Sequence, residues 1–244
     1  MPDRFQITGY LSPNHEPRPE GCDIDMLLLH YTGMATGAAA RARLCDPVAK
    51  VSAHYMIERD GQVFQLVPEQ RRAWHAGVAS WNGARDINDR SIGIELVNPG
   101  HEFGYISFPE AQMRSLIALA EDILARHPIP SHRVLGHSDV APQRKQDPGE
   151  LFDWPRLAAS GLGIWPEPAR APNHTPDAAW FQRELAAIGY NLPIHGTWDT
   201  ATCQVMTAFQ RHFQPAATDQ PPDRETAARL IGLRQRLDRR GATA

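Results

Sequence analysis

Apolar positions fall into short unbroken runs in the first half of the chain and into helical repeats in the second. Residues 25–31 (DMLLLHY) form a continuous apolar run of strand length, the pattern of a strand covered on both faces. Residues 51–59 and 62–67 are rich in β-formers and flank Asp60-Gly61, which predicts a hairpin. A further strand is predicted over 91–98 (SIGIELVN), stopped by Pro99-Gly100. In residues 109–127, Met113, Leu116, Ile117, Ala120, Ile123 and Leu124 recur at three- and four-residue intervals. They make one apolar face of a helix that Pro109 and Glu110 open and Pro128 and Pro130 end. Residues 133–135 predict one more short strand, leading into Gly136-His137. The class is α/β, a central mixed β-sheet flanked by helices.

The pattern breaks at residues 161–176 (GLGIWPEPARAPNHTP), which are proline-rich and aperiodic and read as a linker. Beyond it, three amphipathic helices are expected, the first capped at Thr175-Pro176, the second starting at Asp199 or Thr200 and the third at Asp223. The organisation expected is a first domain over 1–160, a linker over 161–176 and a small three-helix domain over 177–244.

Composition changes this picture little. With 244 residues, 42% of them hydrophobic and 22% charged, the chain can bury a sizeable core. A net charge of −3 gives no footing for nucleic acid or an anionic membrane, and the arginines at 234, 236, 239 and 240 read as the solvated end of a helix. Cys22, Cys45 and Cys203 are too few for a disulfide framework and read as free thiols. The N-terminal stretch has no apolar core of a signal peptide, and no run approaches the ~18 residues of a membrane span, so a cytoplasmic location is expected.

Three polar positions stand out. His30 ends a buried apolar run, where its ring must find a partner. His137 and Asp147 bracket HSDVAPQRKQD, where Pro142 and Pro148-Gly149 predict a fixed, non-helical loop that aims two side chains at one point. Two imidazoles and a carboxylate suit Zn²⁺ and leave a fourth position open, as in a catalytic site. The spacing alone is unspecific, and the HExxH motif of zinc proteases is missing. The histidines at 15, 101, 127, 132, 174, 195 and 212 fall in loops or at helix ends and read as solvated or capping side chains.

The local strings are more specific than the spacing. LLLHYTG around His30, VSAHY at 51–55, RAWHAG at 72–77, SIGIELVN around Glu95 and GHSDVAPQRKQDPG at 136–149 occur in this order. Together they resemble the N-acetylmuramoyl-L-alanine amidases of the AmpD type, relatives of phage lysozyme-like amidases and peptidoglycan recognition proteins. The resemblance implies hydrolysis of the amide between the lactyl group of N-acetylmuramic acid, possibly in its 1,6-anhydro form, and L-alanine of the stem peptide. It implies one Zn²⁺ on His30, His137 and Asp147, with Glu95 and Lys145 catalytic. Alone, Glu95 would read as a strand carboxylate and Lys145 as a surface lysine. His54, Trp74 and His75 lie in matching blocks and are expected to line the substrate groove or orient ligands, although core packing also suits Trp74. Lys50 is a weaker candidate for a stem-peptide carboxylate.

The C-terminal strings FQRELAAIGYNLP, WDTATCQVMTAFQRHF and PDRETAARL resemble three-helix peptidoglycan-binding domains, with ATDQP where a glycine turn is usual; a purely structural helical cap is the alternative. The partners implied are peptidoglycan or muropeptide fragments. A wall-binding module suits polymeric wall, which makes the periplasm or cell envelope the alternative to the cytoplasmic location expected above. The rival reading is a recognition protein that binds peptidoglycan without cutting it.

Overall fold

The central sheet of this computed structural model, which describes residues 7–9 and 11–241, has six strands. Residues 1–6 and 10, part of the stretch read above for a leader, and residues 242–244 lie outside the described residues, as does the side chain of Arg240. In chain order the strands are β1 (Ile7–Gly9), β2 (Met26–Tyr31), β3 (Tyr55–Ile57), β4 (Val63–Gln65), β5 (Ser91–Leu96) and β6 (Val134–Gly136). They lie side by side as β1-β4-β3-β5-β2-β6. All neighbours run parallel except β3 and β4, the hairpin expected around Asp60-Gly61. Gly61 turns it with a φ of +92°, a region that favours glycine.

The helices that matter here are α1 (Gly37–Cys45), α2 (Glu110–Arg126), α3 (His137–Val140), α4 (Trp154–Ala159), α5 (Ala178–Ile188), α6 (Thr200–Phe213) and α7 (Arg224–Gly241). Side chains alternate across a strand, so β2 and β5 each serve two faces. Leu27, Leu29, Ile92, Ile94 and Leu96 point to one face and pack on Met113, Leu116, Leu119 and Ile123 of α2. Met26 and Leu28 point to the other and join Leu135, Phe181, Leu185, Val205 and Phe209 in a second cluster. The helices α5 and α6 therefore share a core with the sheet. Fully burying such a side chain typically stabilises by about 1.5–3 kcal/mol.

Three local expectations shift. The first C-terminal helix is capped by Asp177, whose carboxylate accepts from Trp180 N–H, so Thr175-Pro176 stands just outside it. Asp199 and Asp223 cap the next two through Thr202 and Thr226 N–H. The segment after Gly136 opens with one helical turn, α3, where a non-helical loop was expected. The Asp139 carboxylate accepts from Gly136 N–H and closes that turn before Pro142 breaks it. Residues 161–176 are irregular but packed: Leu162 and Ile164 are buried, Ala169 N–H donates to Ala228 C=O, and Arg224 donates to Pro172 C=O.

Candidate active site

His30, His137 and Asp147 meet at one point. His30 Nδ1, His137 Nδ1 and Asp147 Oδ2 are each 3.0 Å from the other two, and all three residues are buried. The remaining ring nitrogens decide what these atoms offer. His137 Nε2 lies 3.0 Å from Ala76 C=O, which can only accept, so Nε2 carries the proton and Nδ1 presents a lone pair. His30 Nε2 lies 3.2 Å from His75 Nδ1, and His75 Nε2 lies 3.3 Å from Ser91 Oγ, which donates to Ile87 C=O. Read outward, that series alternates donor and acceptor and leaves His30 Nδ1 as a second lone pair. Two imidazole lone pairs and a carboxylate oxygen facing one another make a set of atoms suited to hold a cation. A tetrahedral ion with bonds of about 2.0–2.1 Å holds its ligand atoms roughly 3.3 Å apart, close to the spacing seen. The donor set fits a metal ion, and the three residues form a candidate metal site.

Local sequence explains how the three arrive. His30 is the fifth residue of β2, on the face of Met26 and Leu28, and emerges toward the C-terminal end of parallel strands. His137 opens α3 directly after β6, and Ser138 N–H donates to Asp147 C=O at 2.9 Å, tying the two ends of the ligand-bearing segment together. The segment carrying His75 and Ala76 is pinned by Asn88 Oδ1, which accepts from both their N–H groups, and by Ser52 Oγ, which accepts from Trp74 N–H. On β5, Ser91, Gly93 and Glu95 share the site face. Ser91 holds His75. At Gly93 a Cβ would sit 2.5 Å from His75 Cγ, so only glycine leaves room for the ring. Glu95 pairs in register with His30.

An open cleft of about 530 Å³ contains the three ligands, and Tyr31, Trp74, His75, Glu95, His101 and Lys145 are among the residues that line it. Glu95 is half-buried, and its Oε2 has no hydrogen-bond partner among the described residues. Burial and the nearby Asp147 carboxylate push the Glu95 carboxyl well above its ordinary range, while the Lys145 ammonium pulls the other way. Burial, reinforced by His137, lowers His30 to about 4, which favours the neutral ring that a metal needs.

The other expected residues separate. Trp74 and His75 line the cleft. His54 does not: it is fully buried beneath His75, accepts from Gly93 N–H and lies 3.0 Å from Arg71 C=O. Burial, with the Arg18 guanidinium beside it, lowers its pKa to about 3. Lys50 is exposed, with a φ of +54°, and is not among the cleft-lining residues. Several histidines expected to be solvated or capping are not. His127 pairs with Glu69, His101 joins Tyr31 to Glu150 beside the cleft, and His212 is buried against Asp139. Ser52, Asn88 and Ser91 were not singled out from sequence. Only the small and amide side chains within the matching blocks or beside them could have signalled these three.

Fold and site define an α/β protein with a candidate metal centre at the carboxyl ends of its parallel strands. Comparison with known proteins narrows this. The N-acetylmuramoyl-L-alanine amidase family matches residues 20–150, and a peptidoglycan binding domain family matches 174–230. N-acetylmuramoyl-L-alanine amidase AmiD of Escherichia coli is 41% identical over 226 residues, covering 84% of this chain and 80% of that protein. The 1,6-anhydro-N-acetylmuramyl-L-alanine amidase AmpD of Citrobacter freundii is 36% identical over 165 residues, 61% of this chain and 86% of that one. Among solved structures, E. coli AmiD in complex with the substrate anhydro-N-acetylmuramic acid-L-Ala-D-gamma-Glu-L-Lys aligns with a TM-score of 0.78 at 38% identity, covering 87% of this chain and 89% of that one. Pseudomonas aeruginosa AmpDh3 aligns equally well, at 34% identity and with 90% and 94% covered. The chain belongs to the N-acetylmuramoyl-L-alanine amidase family.

Proposed function

We propose that this protein is a zinc-dependent hydrolase of the amide between the lactyl group of N-acetylmuramic acid, reducing or 1,6-anhydro, and L-alanine of the stem peptide. The observation that carries the reading is the three-way convergence of His30, His137 and Asp147 beside an unpartnered Glu95 carboxyl oxygen. The ligand set is that of zinc sites with an open position. Zinc bound there would supply Lewis-acid polarisation and lower the pKa of water.

The chain's own residues supply the rest. An amide has a poor leaving group, so the nitrogen must be protonated as it departs. Glu95, half-buried in the cleft with its carboxyl raised, suits a group that takes a proton from water and returns it to the alanine nitrogen. Lys145, close enough to act on the charges of both Glu95 and His30, suits stabilisation of the oxyanion, typically worth about 3 kcal/mol for one donor. Trp74 and His75 fit the groove wall, and His75 also orients His30.

On this reading residues 1–160 form the catalytic domain, 161–176 connect, and 177–244 form a helical domain that binds peptidoglycan. A wall-binding domain serves an enzyme that meets polymeric wall, and the reading therefore favours the cell envelope over the cytoplasm. The ligands are peptidoglycan or muropeptide fragments. No helix among the described residues is long and apolar enough to cross a membrane. The test is incubation of the protein, with and without chelator, with muropeptides bearing a reducing or an anhydro-muramyl end, with products identified by mass spectrometry. Release of free stem peptide that chelator abolishes supports the reading. Bound but uncut substrate would instead make the protein a recognition protein.

A further inference from the structure

We infer that the C-terminal helices are part of the metal centre: Arg211 and His212, adjacent on α6, are positioning residues for the segment that carries His137 and Asp147. The inference rests on the zinc-amidase reading. Asp139, two residues after His137, is 1% exposed and has three donors. Gly136 N–H and His212 Nδ1 reach its Oδ2, each at 2.8 Å, and the Tyr190 hydroxyl reaches Oδ1 at 2.7 Å. Two of the three therefore come from beyond residue 177. The third belongs to the residue before the ligand His137, so the same carboxylate that receives the C-terminal donors shapes the turn that aims the ligand.

The state of His212 argues that this contact is what the ring is there for. The imidazole is buried and stacked on Trp154 with ring centroids 3.7 Å apart. Its Nε2 is buried without a partner among the described residues, so Asp139 is its single polar contact. A ring needed only for packing would be better served by a phenylalanine, which buries no polar atom.

Arg211 reaches the other end of the segment. Its side chain is largely buried, and its Nε lies 3.4 Å from Glu150 Oε2, three residues past Asp147. Glu150 accepts from His101 Nε2 at 3.1 Å, and His101 Nδ1 accepts from the Tyr31 hydroxyl at 2.9 Å. Tyr31 follows the ligand His30. Consecutive residues of one helix thus hold the ligand-bearing segment near its first ligand and just beyond its second. Ligand groups must stay within about 0.5 Å of their working geometry, and such partners typically change metal affinity by 10- to 100-fold.

Full-length His212→Ala, His212→Asn, Arg211→Ala, Tyr190→Phe and, as a control, Leu230→Ala test this. Leu230 is buried among the C-terminal helices and contacts neither Asp139 nor Glu150 in any hydrogen bond or ion pair described. Zinc affinity is read by competition with a fluorescent chelator, and kcat and KM on a muropeptide, at a temperature where circular dichroism shows every variant folded. His212→Ala is expected to bind zinc about 10- to 100-fold more weakly and to lose kcat more than it raises KM. His212→Asn, whose amide can donate where Nδ1 did, should recover most of the loss. Arg211→Ala should lose several-fold. Leu230→Ala should lower Tm with zinc affinity intact. Should His212→Ala fail to fold, Tyr190→Phe removes one donor to the same carboxylate and is expected to weaken zinc binding several-fold. Zinc affinity within twofold of the unmodified protein in the folded His212 and Tyr190 variants overturns the inference, as does an equal loss in Leu230→Ala. An unmodified protein that neither binds zinc nor cuts would overturn the amidase reading itself.

Discussion

His30 and Glu95 face each other across one rung of the parallel β2–β5 ladder, so the metal ligand and the carboxyl proposed as proton carrier leave the sheet on the same face. The relationship is made by backbone hydrogen bonds rather than by a loop. A slip of one residue in either strand would send one of the two side chains into the α2 core. Glu95 sits between Ile94 and Leu96, both fully buried on that opposite face, which locks the register.

Replacing Glu95 by glutamine should leave metal content unchanged and reduce turnover by about 10²- to 10⁴-fold, the usual worth of a positioned acid–base group. Metal analysis of the purified variant beside a product assay checks both halves. A variant that still turned over at the native rate would remove Glu95 from the chemistry.

His137→Ala should behave differently, losing metal and activity together, because it takes away one of the two imidazole nitrogens that converge on Asp147. Chelator treatment of the unmodified protein should reproduce that loss, and added Zn²⁺ should reverse it in the unmodified protein alone. Elemental analysis before and after each step gives the comparison.

Gly93→Ala and Ser91→Ala probe how His75 is held. The new Cβ at position 93 would collide with the His75 ring, and removing the Ser91 hydroxyl takes away the partner 3.3 Å from His75 Nε2. Both should weaken metal binding, by about tenfold or more. Isothermal titration with Zn²⁺ measures it, and native affinity in both variants would mean that His75 does not steady His30.

Glu69 sets an acid limit on stability. Burial works to raise its carboxyl, but hydrogen bonds from Arg126, His127 and Tyr55 outweigh this and hold it at about 2. A carboxyl lowered on folding stabilises the protein above its unfolded pKa of about 4.3, and the contribution disappears as pH falls through the folded value. Stability should therefore fall between about pH 4.5 and 2. Glu69→Gln should be less stable at neutral pH and flatter across that window. Urea unfolding at a series of pH values reports the slope.

Much of this was legible in the sequence because it is local. Runs such as MLLLHY and SIGIEL carry their own strand signal, and the ordered family blocks carry His30, Glu95, His137, Lys145 and Asp147 to one fold. What was not legible depends on residues distant in sequence. His212 looks like an ordinary residue near a helix end, and only the packing of α6 against α3 brings it to Asp139, 73 positions earlier. His54 sits in a matching block yet turns inward, because Gly93 N–H supplies a buried donor that its Nδ1 accepts. The α3 turn was missed for a related reason. Its cap is a side chain three residues inside it rather than a polar residue ahead of it.

The second hydrophobic cluster joins Met26, Leu28 and Leu135 of the sheet to a larger set of side chains from α5 to α7. Cutting the polypeptide within residues 161–176 would strip Met26, Leu28 and Leu135 of their cover and leave an oily face in water. The two halves therefore cannot be traded like cassettes. An amidase of this build that is grafted onto another targeting unit, or trimmed to its catalytic half, would need new apolar cover designed for that face before it could stay soluble.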